Sequence, residues 1–502
     1  MRGLFTPITK IRRQVFEEIA RFAYERDLKS DDFYYFYESP YRIIPGEVAK
    51  YRDSVFKERT IIRERIRLAM GLPLRPTTSY QNLTDGMKEC ASSKKQLELP
   101  LVTVIPFACE ACKPDHFKVT NNCKKCLAHP CTSVCPVNAV SIGKDSAIID
   151  SEKCIKCGRC REACPYGAII RSGRPCAEAC GAKAIESDEL GRAKINQDKC
   201  VACGLCIVSC PFAAIADKSE ILQLITAIRS GEKVYAIIAP SFVGQFGPLA
   251  TPGKIISGIR ELGMDYVMEV SYGADIGSIH EAEEFMEHVP DEKPFLGTSC
   301  CPAWASFAKA TLPDYAYCIA DTNTPMVATA VKIKEHDPNA KVVFIGPCIA
   351  KKIEATYEDV APYVDYVITY EELMGIFSAK GVELTELEES EFDVEASADG
   401  RNYAVSGGVA NAVINTVKNR DPQREVPVMK AETLAECRKM LLLAKAGKAT
   451  GHLLEGMACS GGCVGGPGTL SAIPRASKDV KAFADKSNFK TADDNIYLNI
   501  KK

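Results

Sequence analysis

The chain has 502 residues, 46% of them hydrophobic and 25% charged, with a formal net charge of -2. That length exceeds one ordinary core and predicts about three domains, while nearly balanced acids and bases argue against nucleic acid or an anionic membrane surface as the partner. No apolar stretch reaches the ~20 residues that span a bilayer, and Arg12-Arg13 is followed by acids and not by an apolar run, so the expected location is cytoplasmic.

Cysteine is the outlier, with 24 residues, most of them two or three positions apart. In a long chain that lacks the look of a secreted protein, clustered thiols read as metal ligands, not as disulfides. Residues 1–100 form a helical N-terminal region, with helix-period stretches at 11–26 and 47–70 and a proline-bearing linker at 71–80. The aromatic run DDFYYFYESPY at 31–41 is expected to pack onto the next domain, and Cys90 to have no special role.

Residues 101–220 are punctuated by cysteine. CIKCGRCREACPYGAI from Cys154 and CVACGLCIVSCPFAAI from Cys200 repeat the pattern C-x2-C-x2-C-x3-C-P, a ferredoxin-like duplication. A short run of three thiolates wraps three corners of a 4Fe-4S cubane, and the Cys-Pro cysteine ligates the other cluster. By that rule Cys154, Cys157 and Cys160 pair with Cys210, and Cys200, Cys203 and Cys206 with Cys164. Cys109, Cys112, Cys123, Cys126, Cys131, Cys135, Cys176 and Cys180 suffice for two more cubanes, giving up to four accessory 4Fe-4S clusters. An interleaved order would join Cys123, Cys126 and Cys131 to Cys210, and Cys109, Cys112 and Cys176 to Cys164. A zinc ribbon from Cys109 to Cys126 is the remaining reading.

Residues 221–502 turn to α/β, with strand-like runs at 233–240, 266–271, 294–299 and 341–347 between helical segments. The expected fold class is therefore α+β and multidomain, with a site in a cleft at the carboxyl ends of the C-terminal strands. Three motifs mark that cleft: TSCCPAW at 298–304, GPCIAKKIEA at 346–355 and EGMACSGGCVGG at 455–466. Cys301, Cys348, Cys459 and Cys463 supply one more set of four thiolates. Glycines 461, 462, 465 and 466 allow backbone to approach a bulky inorganic group. Cys300 is surplus beside a ligand and is a candidate acid or base.

These three motifs, with the ferredoxin block upstream, resemble those of the iron-only (FeFe) hydrogenases over about residues 230–470. The resemblance implies a two-lobed catalytic domain holding an H-cluster, a 4Fe-4S cubane joined through one thiolate to a two-iron unit with carbon monoxide, cyanide and a dithiolate amine. It implies Cys301, Cys348 and Cys459 on the cubane, Cys463 as the bridge and Cys300 facing the amine. It further implies Lys351 and the Pro240-Ser241 segment against cyanides, Met457 lining the pocket, and Glu281, Glu284 and Glu354 as proton-relay groups. The implied activity is reversible formation of dihydrogen from protons and electrons. The implied partners are a ferredoxin or similar low-potential carrier and H-cluster maturation proteins. The chain departs from the pattern at Ala303, Ala320 (where a relay serine is usual), Thr324-Pro325-Met326, Gly346 (for a methionine) and Gly466-Pro467-Gly468, as a divergent branch would. A slow hydrogen sensor and a hydrogenase-like iron-sulfur assembly factor are the competing functions.

Overall fold

A computed structural model describes residues 3–498. Helix α1, Pro7–Glu25, starts where the Thr6 hydroxyl accepts from the Thr9 amide and Pro7 supplies a preset φ. Its buried face, Val15, Ile19, Phe22 and Ala23, belongs to the same apolar core as the strands of the C-terminal half. Helix Tyr370–Lys380 lies so close that a Cβ on Gly375 would meet Phe16 Cβ at 2.6 Å, and Arg12 pairs with Glu371 at 2.6 Å. The aromatic run does pack: the Phe33 and Phe36 rings lie tilted against Phe22 at 5.1 and 4.6 Å. Its neighbours are α1 and that shared core. The N-terminal helices α1, α2 (Tyr35–Ile43) and α3 (Val55–Ala69) thus buttress the C-terminal half, and Cys90 is a filler of the same core.

The cysteine-rich segment is one ferredoxin-like module inserted into another. In the outer module, β1 (Val102–Val104) pairs antiparallel with β8 (Ile215–Asp217), and β6 (Ile185–Ser187) with β7 (Ala193–Ile195). Between them, β2 (His116–Val119) pairs with β5 (Ile169–Ser172), and β3 (Val140–Ile142) with β4 (Ala147–Ile149). The inner module has its own small core of Phe117, Val140, Ala147 and Ile169 around its cysteines. The outer one packs on Ile61 and Leu68 of α3 on one side and on Ile349 of the C-terminal half on the other.

The C-terminal half holds two parallel sheets. One has the order β10-β9-β12-β13, from β9 (Val234–Ile238), β10 (Tyr266–Glu269), β12 (Lys341–Gly346) and β13 (Tyr366–Thr369). The other has the order β11-β15-β14, from β11 (Phe295–Gly297), β14 (Val428–Glu432) and β15 (His452–Met457). β9 is buried at all five positions, as expected for a parallel strand covered by helices on both faces. Two sheets make two lobes, as the resemblance implies. Among the described residues no helix is long and apolar enough to cross a membrane.

Candidate active site

The carboxyl ends of β9, β11, β12 and β15 carry the motif residues. After β11 the chain runs through Thr298, Ser299 and Cys300 to Cys301, which caps helix Pro302–Thr311. The Trp304 indole donates to the Thr298 carbonyl at 3.0 Å and fixes that turn. Gly456 exists for this ring, because a Cβ there would stand 2.2 Å from it. Cys348 follows β12, and Cys459 and Cys463 follow β15 in a loop closed by Gly462 N–H to the Cys459 carbonyl. Gly462 has φ +87°, and a side chain on it would collide with the Ser406 amide, so the glycine here serves chain packing.

The thiols of Cys301, Cys348 and Cys463 are close enough to feel one another's charge. Burial and then that proximity push Cys348 up to about 11 and Cys463 up to about 12. Burial also raises Cys301, against the pull of backbone amides and the Lys351 ammonium. Such a dry thiol ring disfavours its own anions, so it is stable as thiolates only around a cationic centre. A soft, all-sulfur donor set fits iron-sulfur chemistry. Among the described residues no three His, Cys, Asp or Glu side chains gather as ligands of a single metal ion. Thiols around a multi-iron cluster are held farther apart.

Cys300 is raised well above the ordinary thiol value, first by burial and then by the neighbouring Glu281. It packs against Tyr403 and Met457, which puts Met457 at the site. Glu281 is buried and raised to about 7 by burial. Its Oε1 accepts from the Ser299 amide at 2.8 Å and the Ser299 hydroxyl at 3.1 Å, and Oε2 has no partner among the described residues. The Ser299 hydroxyl also reaches the Thr322 carbonyl at 2.8 Å. Thus a hydroxyl does adjoin Glu281, although Ala320 is apolar and buried. Glu284 is bound to the Lys293 ammonium. Lys351 and Glu354, given separate roles by the resemblance, hydrogen-bond each other at 2.7 Å in a buried pair. Ser241 is buried with its hydroxyl 2.7 Å from the Tyr370 hydroxyl, which also reaches the Ala239 carbonyl at 2.9 Å, so the Pro240-Ser241 turn is pinned by its own strand end.

Gly346 shows why a methionine is absent there: a Cβ would meet the Phe344 ring at 2.4 Å. Three features escaped sequence reasoning. Glu455, the first residue of the third motif, accepts from Gly407 and Ala410 amides at 2.6 and 2.8 Å. Tyr403 and Ser278 share a hydrogen bond of 2.9 Å beside Glu281 and Cys300. Lys352, wholly buried, binds Asp217 and Glu372 at 2.8 Å each and the Lys218 carbonyl at 2.7 Å, clamping the end of β8 to the C-terminal half. Only Glu455 had a visible signal, its place in the motif.

The accessory thiols sort differently from the expected pairing. Cys131 senses Cys164 and Cys126, Cys160 senses Cys154 and Cys135, Cys112 and Cys176 sense Cys109 and Cys210, and Cys200, Cys203 and Cys206 sense Cys180. Cys164 therefore joins Cys123, Cys126 and Cys131, and Cys210 joins Cys109, Cys112 and Cys176. Cys135 joins the Cys154 run and Cys180 the Cys200 run. This grouping differs from both pairings drawn from spacing, and it sets Cys109 and Cys112 apart from Cys126. β2–β5 and β1–β8 close separate units, so Cys135 and Cys164 fall within one nested module and Cys180 and Cys210 within the other. Cys203, burial-raised to about 12, also senses Cys301, so the outer module abuts the thiol ring.

Residues 232–467 match the iron-only hydrogenase large subunit, C-terminal domain, family; 147–170 match a 4Fe-4S binding domain and 170–221 the LdpA Fe-S cluster-binding domain. The chain is 28% identical to iron hydrogenase 1 of Clostridium pasteurianum, over 66% of this chain and 66% of that one. It is 26% identical to the periplasmic Fe hydrogenase large subunit of Nitratidesulfovibrio vulgaris, over 67% and 91%. The cytosolic Fe-S cluster assembly factor narfl of Xenopus tropicalis is 25% identical over 46% and 59%. The chain thus spans just under two-thirds of the clostridial protein's length. An apo FeFe-hydrogenase structure from Chlamydomonas reinhardtii aligns with 53% of this chain and 88% of that one, at 24% identity and a TM-score of 0.45. The match to the iron-only hydrogenase large-subunit family spans residues 232–467, which carry all three thiol motifs.

Proposed function

We propose that the protein is an iron-only hydrogenase, reversibly joining two protons and two electrons into dihydrogen, with Cys301, Cys348, Cys459 and Cys463 holding an H-cluster. The observation that carries this reading is the Cys300–Glu281 pair. It places a half-buried thiol and a buried carboxyl, both with raised proton affinity, next to the thiol ring that the outer cysteine-rich module adjoins. A scaffold that only stores or hands on clusters needs the thiols but not that pair. When bound, the two-iron unit supplies the metal at which protons and electrons combine. The chain's part is to keep the site dry, to hold the Lys351 ammonium toward anionic ligands through Glu354, and to bring protons to Cys300. A carboxyl near 7 is suited to that, because it both accepts and donates at neutral pH.

The assembly-factor reading is supported by relatives of that description. One experiment separates the two. The matured protein, assayed anaerobically with reduced methyl viologen, is expected to evolve dihydrogen and to show infrared bands of metal-bound carbon monoxide and cyanide. An intact two-iron unit without turnover in either direction would refute the enzyme, and five cubanes without a two-iron unit would favour the scaffold.

A further inference from the structure

Helix α3 breaks the pattern of a core-facing helix. One stripe of it, at offsets of three, four and seven residues, reads Glu58, Ile61, Ile62 and Arg65, all buried, where apolar side chains would be expected throughout. All four line a single cavity of about 440 Å³, a volume in the range of small-molecule sites. Its other walls are Ile8 and Ile11 of α1 and the turn 211–213 that follows Cys210. The two charged side chains therefore stand at opposite ends of an apolar floor, and seven helical residues set them about 10 Å apart along the axis.

Neither charge is fully matched by the chain. Arg65 is 7% exposed. Its guanidinium donates to the Ala213 carbonyl and forms no ion pair among the described residues. The carboxylates whose charge it feels, Glu371 and Asp217, are held by Arg12 and Lys352. Burial pulls Arg65 down to about 10, as it does for a cation without a close counter-ion. Glu58, 4% exposed, uses Oε1 to accept from the amides of Lys50, Tyr51 and Arg52 at 2.9, 2.5 and 2.9 Å. Its Oε2 is buried and has no partner among the described residues. A buried cation without a counter-ion and a buried acceptor without a donor both cost stability, and one ligand lying along the stripe would satisfy both.

We infer that the cavity between α1, α3 and the turn after Cys210 binds a small hydroxy carboxylate, its carboxylate at Arg65, an apolar body about 10 Å long over Ile61 and Ile62, and its far hydroxyl donating to Glu58. A carboxylate suits the planar fork of a guanidinium. The Ala213 carbonyl that Arg65 holds is three residues beyond Cys210, so the bound charge lies beside the thiol set of Cys109, Cys112, Cys176 and Cys210 and makes a cluster there harder to reduce. The site stands whether or not the thiol ring forms dihydrogen.

The test is calorimetric titration of the full, cluster-loaded chain with ω-hydroxyoctanoate. Octanoate lacks the far donor, and the octanediol with a hydroxyl at each end lacks the anion. Wild type is expected to bind ω-hydroxyoctanoate saturably, about fivefold tighter than octanoate and at least about tenfold tighter than the diol. Arg65→Met should bring the hydroxy acid down to the affinity of the diol. Ile8→Trp, which fills the cavity from the half-buried side of α1, should abolish binding of all three and keep the cluster spectrum. In wild type the hydroxy acid should shift the paramagnetic signal that Cys176→Ser alters and leave the one that Cys131→Ser alters. If Arg65→Met fails to hold its clusters, the wild-type ranking and Ile8→Trp decide. No saturable binding, equal affinity for any two of the three probes, unchanged binding in Ile8→Trp, or a shift confined to the Cys131 signal overturns the inference.

Discussion

Glu281→Gln should make the protein more stable above neutral pH and nearly inactive at the same time. The carboxyl is buried and raised from 4.5 to about 7, chiefly by burial. The sign follows from linkage: a group with a raised folded-state value contributes stability that is fully present below about 4.5 and is lost as pH rises through about 7. The loss is on the order of 3 kcal/mol once both folded and unfolded carboxyls are ionised. Gln resembles the protonated acid in shape, its carbonyl can still accept from Ser299, and it cannot ionise. The variant should therefore match wild type near pH 4.5 and exceed it by about 3 kcal/mol near pH 8.5. Anaerobic guanidinium unfolding at both values, read by Trp304, the chain's single tryptophan, reports from the same lobe. Turnover should fall by about 10²-fold or more, the usual share of a positioned acid-base group. A stability difference that does not depend on pH, or a variant that keeps its activity, would refute the assignment of Glu281 as the buried proton carrier.

Cys301→Ala should lose the H-cluster, whereas Cys300→Ala should keep the carbon monoxide and cyanide bands and lose turnover; near-normal activity of Cys300→Ala would mean that protons enter elsewhere. Iron analysis of the loaded chain should give about 22 irons, from five four-iron sets and one two-iron unit. Cys164→Ser and Cys131→Ser should alter the same paramagnetic signal, and Cys135→Ser a different one; a shared effect of Cys164→Ser and Cys200→Ser would restore the pairing expected from spacing. Lys352→Met leaves Asp217 and Glu372 buried without their shared ammonium and should cost about 3–5 kcal/mol, seen as a lowered guanidinium midpoint.

Which thiols share a turn was legible in the sequence, because C-x2-C-x2-C is a local geometry. Which turn meets which was not. The repeats at Cys154 and Cys200 look like the two halves of one duplication, yet each is closed by the antiparallel pairing of strands far apart in the chain, β2 with β5 and β1 with β8. Strands of three or four residues carry almost no periodicity to announce such partners. The same limit applies at the N-terminus, where the amphipathic pattern of α1 gave the helix but not the sheet lobe on which it lies.

In the catalytic cleft the legible part was set by backbone position and the hidden part by side-chain pairing. A residue just past a strand end is placed by topology, so Cys301, Cys348 and Ser241 could be read from motifs and strand-like runs. Lys351 and Glu354 stand three apart on the short helix Ala350–Glu354, a spacing that makes them neighbours, and reading them as one unit was open to the sequence alone. Ser299 was obscured because the relay hydroxyl implied by the resemblance falls at Ala320. The structure supplies a hydroxyl one residue from Cys300, hydrogen-bonded to Glu281 itself. A departure at one position of a buried network is thus no measure of lost function until the neighbouring donors are counted. The Gly346–Phe344 pair makes the same point in apolar terms: the strand neighbour two residues back fills the space a methionine would need, so the glycine is set by the ring beside it.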